Sequence, residues 1–170
     1  ANRDHFEKVK AHADGPPPAS LVEGLDPMPG SDVEVRDWGQ QLMSSGFVYL
    51  VELDLERLDD IKAKLRASAE YYHACYAQGD EVNWYAASRV ACFVVLDWLW
   101  DTFAPEEREQ VGRRLMDHVE EAIYKPDILR RNNGDHTSGY YGVPSIAWFA
   151  GLALYREGIE DDRALHFLTR

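Results

Sequence analysis

The sequence predicts an all-α fold in two layers, an arc of helical hairpins of the α/α solenoid or α/α toroid kind. Three observations lead there. From Asp32 onward, apolar residues recur at helical spacing. Helices with one apolar face alternate with helices that are apolar all round; the first kind borders water and the second lies inside. Most of the predicted connections are short, which makes sequential neighbours antiparallel. A plain bundle needs only one class of helix, whereas two classes imply an outer and an inner layer. There is no strict sequence repeat, and a closed ring needs more hairpins than 170 residues hold. The chain therefore reads as a fragment or an open arc.

Taken in order, residues 2–13 suit a short helix with Phe6 and Val9 on one side. Residues 14–32 are irregular, with Gly15, prolines at 16–18, Pro27, Pro29 and Gly30, and such a segment is expected to wrap over a surface. Residues 1–32 are thus read as an N-terminal helix and wrapping segment, and residues 33–170 as a partial toroid domain. The stretch 33–51 carries Trp38, Leu42, Met43, Phe47 and Leu50 in a helical pattern weakened by Gly39 and Gly46. The helix 54–78 starts at a capping Asp54 and ends at Gly79. Its apolar face is Leu58, Ile61, Leu65, Ala69, Tyr72 and Tyr76. The helix 83–103 is apolar all round from Val90 to Leu96 and is expected to be mostly buried. The helix 105–124 opens on Pro105, Glu106 and Glu107, suited to a positive helix N-terminus, and carries one stripe of Val111, Leu115, Val119 and Ile123. The helix 144–157 is again apolar all round and closes at Gly158. Residues 161–169 begin one more helix.

A formal net charge of −12 argues against nucleic acid or anionic membrane as a partner, since both require a basic footprint. The longest apolar run, Val90 to Leu96, is too short to span a bilayer. Cys75 and Cys92 fall in separate predicted helices and read as buried thiols, with a disulfide open but not indicated. No pair of histidines has zinc spacing, so no metal site and no cofactor is expected.

The chemistry concentrates between Arg131 and Pro144, where amides, a carboxylate, an imidazole, two hydroxyls, two phenols and three glycines share fourteen positions. A loop that only joins two helices needs little more than a Gly or a Pro. This stretch precedes one all-round apolar helix, and Asn83, Trp84, Tyr85, Ser88 and Arg89 open the other. In a two-layer arc both stretches face a common cleft, where helix N-termini favour a bound anion. Lys125, Arg130 and Arg131 add local positive charge. Arg89 needs a partner, either Asp97, Asp101 or Asp135 in a salt bridge, or a substrate carboxylate or sulfate. Asn133 and His136 are donors suited to an oxyanion; Tyr140 and Tyr141 are proton donors or, deprotonated, bases. Asp135 is read as a turn residue. Ser138 and His136 lie in nothing like a nucleophile elbow, so a serine triad is set aside.

The segments Asn83-Trp84-Tyr85-Ala86-Ala87-Ser88-Arg89, Leu96-Asp97-Trp98-Leu99, Asn132-Asn133-Gly134-Asp135-His136, Gly142-Val143-Pro144 and Leu152-Ala153-Leu154-Tyr155 resemble the N-terminal α/α-toroid part of heparinase II/III-like polysaccharide lyases. The resemblance covers about residues 33–170. It implies β-elimination on uronic-acid-containing polysaccharides, with Asn133 and His136 neutralising the uronate carboxylate and Asn83, Trp84, Tyr85, Arg89, Arg131 and Asn132 lining the substrate site. It also implies a catalytic Tyr and a β-sandwich domain beyond Arg170, hence weak or no lyase activity for these 170 residues alone, with Tyr140 and Tyr141 as the bases next in line. The partner it implies is an acidic polysaccharide, and the location is periplasmic or secreted. Two competing expectations are a toroid glycoside hydrolase using paired carboxylates from Asp97, Asp101 and Asp135, and a non-catalytic carbohydrate-binding or protein-interaction module.

Overall fold

The computed structural model describes residues 2–16, 32–77, 87–124 and 143–169. Among these residues there are seven α-helices and no strand: α1 (Asn2–Ala13), α2 (Asp32–Glu52), α3 (Leu55–Ala77), α4 (Ala87–Trp98), α5 (Pro105–Tyr124), α6 (Val143–Leu154) and α7 (Asp161–Thr169). The all-α expectation holds. The predicted wrapping segment falls mainly on residues 17–31, outside the described residues.

The helices pack by alternation. In one row α2 lies against α4 and α4 against α6. In the other row α3 lies against α5, and Arg163 of α7 reaches Asp117 and Glu120 of α5 at 2.7 and 3.1 Å. The rows are stitched across by α2 with α3, α5 with α6, and α6 with α7, and α1 packs on the outside of α2.

Each connection has a local cause. At the α2–α3 turn Leu53 takes φ 55°. Asp54 then caps α3, its Oδ1 accepting the Glu56 N–H at 3.0 Å, as its sequence position predicts. The α4–α5 connection differs from expectation. The helix stops at Trp98 and passes into a 3₁₀ turn, Trp100–Thr102. There the Thr102 hydroxyl and N–H both donate to the Leu99 carbonyl, at 2.6 and 2.8 Å, a side-chain alternative to the helical ladder. Pro105 then disfavours helical geometry at Ala104. Glu107 folds back to accept the Ala104 N–H at 3.2 Å, the reciprocal half of a capping box. The helix before Gly158 also ends earlier than its apolar pattern suggests. Leu154 is its last residue, and Arg156, Gly158 and Glu160 all take positive φ. Asp161 then accepts the Gly158 N–H at 3.1 Å.

The core lies between the rows. Leu58, Ile61, Leu65 and Ala69 of α3 and Val111, Leu115 and Val119 of α5 are buried, so the apolar stripes point where their spacing predicts. Trp38 and Leu42 of α2 are buried as well, whereas Phe47 and Leu50 of the same predicted pattern are 42% and 44% exposed. Phe47 instead pairs with Phe6 of α1, ring centroids 6.4 Å apart. One polar relay crosses this core: the Trp38 indole donates to Ser68 Oγ at 2.8 Å, and Ser68 donates to the Lys64 carbonyl at 2.8 Å. Both groups are thereby satisfied, as buried polar groups must be.

Candidate functional site

α4 and α6 are the two helices whose sequence is apolar on every side. In α4, Ala91, Cys92, Phe93, Val95 and Leu96 are buried; in α6, Ile146, Ala147, Ala150, Ala153 and Leu154 are. Most of each helix is inside, in line with its all-round apolar sequence. A strip of both is nonetheless open: Trp98 is 37% exposed, and Trp148 and Leu152 are each 50% exposed. Among the described residues, the row of α4 and α6 therefore has an apolar side that the row of α3, α5 and α7 does not cover.

On that side the helices form an open cleft of about 290 Å³ lined by Phe93, Val94, Asp97, Trp98, Phe149, Leu152 and Ala153. All seven come from the C-terminal halves of their helices. α5 turns back after the end of α4, and its Gly112 lies against Leu154 at the end of α6, so α4 and α6 run in the same general direction and their N-terminal ends point to the far end. Trp148 stands edge-on to Phe149, centroids 5.5 Å apart and planes at 79°, the favoured arrangement for two rings.

Asp97 is the only titratable side chain of the cleft lining. It sits exposed at the rim. Among the described residues its carboxylate makes no hydrogen bond or ion pair. The apolar wall takes water from it and pushes its pKa up from the ordinary aspartate value.

The residues singled out from sequence fall elsewhere. Asn83, Trp84, Tyr85, Arg131, Asn132, Asn133, His136, Tyr140 and Tyr141 lie outside the described residues, as do Asp135 and Ser138. Arg89 belongs to the first turn of α4, and its side chain is likewise outside the described set. Asp101 is exposed on the 3₁₀ turn. Cys92 is a buried thiol, while the Cys75 side chain is outside the described residues. Among the described residues no group of three or more His, Cys, Asp or Glu is placed to hold a metal ion, and no helix is long and apolar enough to cross a membrane.

The aromatic strip of Trp98, Trp148 and Phe149 is the feature that sequence reasoning missed. Its signal was present: a helix apolar on every side within a two-row fold has one side that neither row covers. The chain matches no protein-family model, no curated protein and no solved structure.

Proposed function

We propose that the chain is part of an α/α toroid and forms the uronate-gripping portion of a polysaccharide lyase that acts by β-elimination. In this reading Asn133 and His136 neutralise the uronate carboxylate. Asn83, Trp84, Tyr85, Arg89, Arg131 and Asn132 hold the neighbouring sugars. Tyr140 and Tyr141 are the nearest candidates for proton transfer.

One observation carries the reading. Residues 83–86 and 131–142 are joined directly to the first residues of α4 and α6, and those helices are packed neighbours whose matching halves line one cleft. Neighbouring helices with a common direction bring their N-termini to one end, where unpaired backbone N–H groups and the helix dipoles favour an anion. In this reading Asn133 and His136 supply the side-chain donors to that anion. Hydrogen bonds to the carboxylate that strengthen as the enolate forms lower the barrier to removal of the α proton. The packing of α2 with α4, of α4 with α6, and of α3 with α5 supports the toroid reading. The chain's acidity makes the polymer's capture depend on these local donors and on Arg131 and Arg89 rather than on long-range attraction.

The hydrolase alternative needs two carboxylates facing one bond. The cleft of α4 and α6 holds only Asp97 among its lining residues, which gives that alternative no second partner there.

The test is calorimetric titration with oligomers of a uronic acid, alongside an ultraviolet assay for the unsaturated product. Each of Asn133→Ala and His136→Ala should weaken binding by about tenfold or more, the usual effect of losing one hydrogen bond to a charged group. Any cleavage should produce the ultraviolet-absorbing double bond. Binding unchanged in the double variant, or cleavage products lacking the double bond, would refute the assignment.

A further inference from the structure

The cleft between the C-terminal halves of α4 and α6 has chemistry opposite to that of a uronate site. Its walls are Phe93, Val94, Trp98, Phe149, Leu152 and Ala153, and its single charge is the Asp97 carboxylate. A uronate would be repelled there. A neutral apolar molecule would fill the walls and leave the carboxylate without a counter-charge. From this combination we infer that the cleft binds a small organic cation, with an alkylated or quaternary ammonium group set between Asp97 and the rings of Trp98 and Phe149.

Three features of the molecule support this occupant. Asp97 has no hydrogen-bond or ion-pair partner among the described residues, so a bound cation displaces none of them. Aromatic faces attract cations through the negative face of the ring, and weakly hydrated ammonium groups are the ones that benefit most. The net charge of −12 gives the whole molecule a field that draws cations towards it. A volume of about 290 Å³ admits a compact headgroup with a short tail. The desolvation that raises the Asp97 pKa is the same cost that a paired cation removes.

Choline and its uncharged counterpart of the same shape, 3,3-dimethylbutan-1-ol, make a matched pair of probes. In an NMR titration of the full chain, choline should shift the signals of Trp98, Phe149 and Leu152 with a dissociation constant of about 1–10 mM. The alcohol should bind about tenfold more weakly. Asp97→Asn keeps the shape of the cleft and removes its charge, so most of choline's advantage over the alcohol should then be lost, leaving the part due to the rings. Circular dichroism of this variant checks that the helices persist, as expected for an exposed position. Equal binding of the two probes to the unaltered chain would overturn the inference and leave an apolar cavity alone. So would a choline affinity unmoved by Asp97→Asn, or the absence of any shift at the cleft. Asn133 and His136 take no part, so a failed uronate titration leaves this inference standing and a failed choline titration leaves the uronate site standing.

Discussion

Leu53 holds a left-handed backbone conformation, φ 55°, with its side chain 65% exposed. Such a conformation costs a branched L-residue roughly 1–2 kcal/mol, and exposure returns little of it. Glycine has no such cost and is the usual residue past a helix end. Leu53→Gly should therefore stabilise the chain by about 0.5–1 kcal/mol despite the greater freedom it gives the unfolded state, raising the thermal midpoint by about 2–3 °C. Asp97 carries a different strain. Burial raises its carboxyl pKa, so between the unfolded and folded values the native chain binds more protons than the unfolded one. Stability then falls as pH rises through that window. Asp97→Asn should raise the midpoint slightly at neutral pH, by less than about 2 °C, and the difference should vanish below the ordinary value of 3.8. A variant less stable than the parent at neutral pH would mean that Asp97 has a stabilising partner. The pattern of apolar residues located the helix faces, but it carried no information about either position. A positive φ at Leu53 has no sequence signature, because Leu is not a residue that favours it. The solvation of Asp97 depends on Phe149 and Leu152, more than fifty positions away.

The helices themselves were legible wherever periodicity and caps agreed. Asp54 before α3 and Pro105-Glu106-Glu107 at the start of α5 mark real beginnings, because each supplies or removes a particular backbone hydrogen bond. Ends were read less well. The apolar pattern runs past Trp98 and past Leu154, but the backbone turns at Leu99 through Thr102 and at Arg156 through positive φ. Apolar residues beyond a helix end still find the core: Leu99, Phe103 and Ile159 are all buried. Packing between elements also rests on small residues whose role a single sequence does not announce. A Cβ on Gly151 would stand 2.6 Å from Leu168 Cγ and 2.9 Å from the Ala164 carbonyl oxygen, so α6 and α7 approach too closely for a side chain there. Gly151→Ala should destabilise by about 1–3 kcal/mol even after the better helix propensity of alanine. Gly112→Ala is the control. Its Cβ would meet the methyl ends of Leu154 and Ile159 at 3.3 and 3.4 Å, which have room to move, so thermal melting should leave it near the parent. Equal destabilisation by both changes would contradict the close approach of α6 and α7.

Across the whole molecule, charge and apolar surface are distributed by row. The row of α3, α5 and α7 is laced with ion pairs: Arg66 with Glu107, Arg114 with Glu70, and Arg163 with Asp117, Glu120 and Glu160. Arg163 shows the balance involved. Burial works against its charge, while the hydrogen bond to Asp117 and the charges of Glu160 and Glu120 more than compensate and raise its pKa. The row of α2, α4 and α6 instead leaves Leu50, Trp98, Trp148 and Leu152 open to solvent. The two classes of helix in the sequence foretold the charged faces of α3 and α5, but the exposed strip of Trp98, Trp148 and Leu152 departs from the expectation that α4 and α6 lie inside. The proposed uronate site rests on a concentration of polar groups and glycines before α6, in residues outside the described ones. The cation cleft went unread because it is made by two helices that the sequence separates by more than forty residues.

The central claim is that the residues before α4 and those before α6 close on the same carboxylate. Amide chemical shifts of the isotopically labelled chain, followed while an oligomer of a uronic acid is added, test it most directly. Resonances of Asn83–Arg89 and Asn132–Tyr141 should move together along one saturation curve, with α3 and α5 unmoved. Shifts in only one of the two stretches, or shifts centred on the charged row, would contradict it.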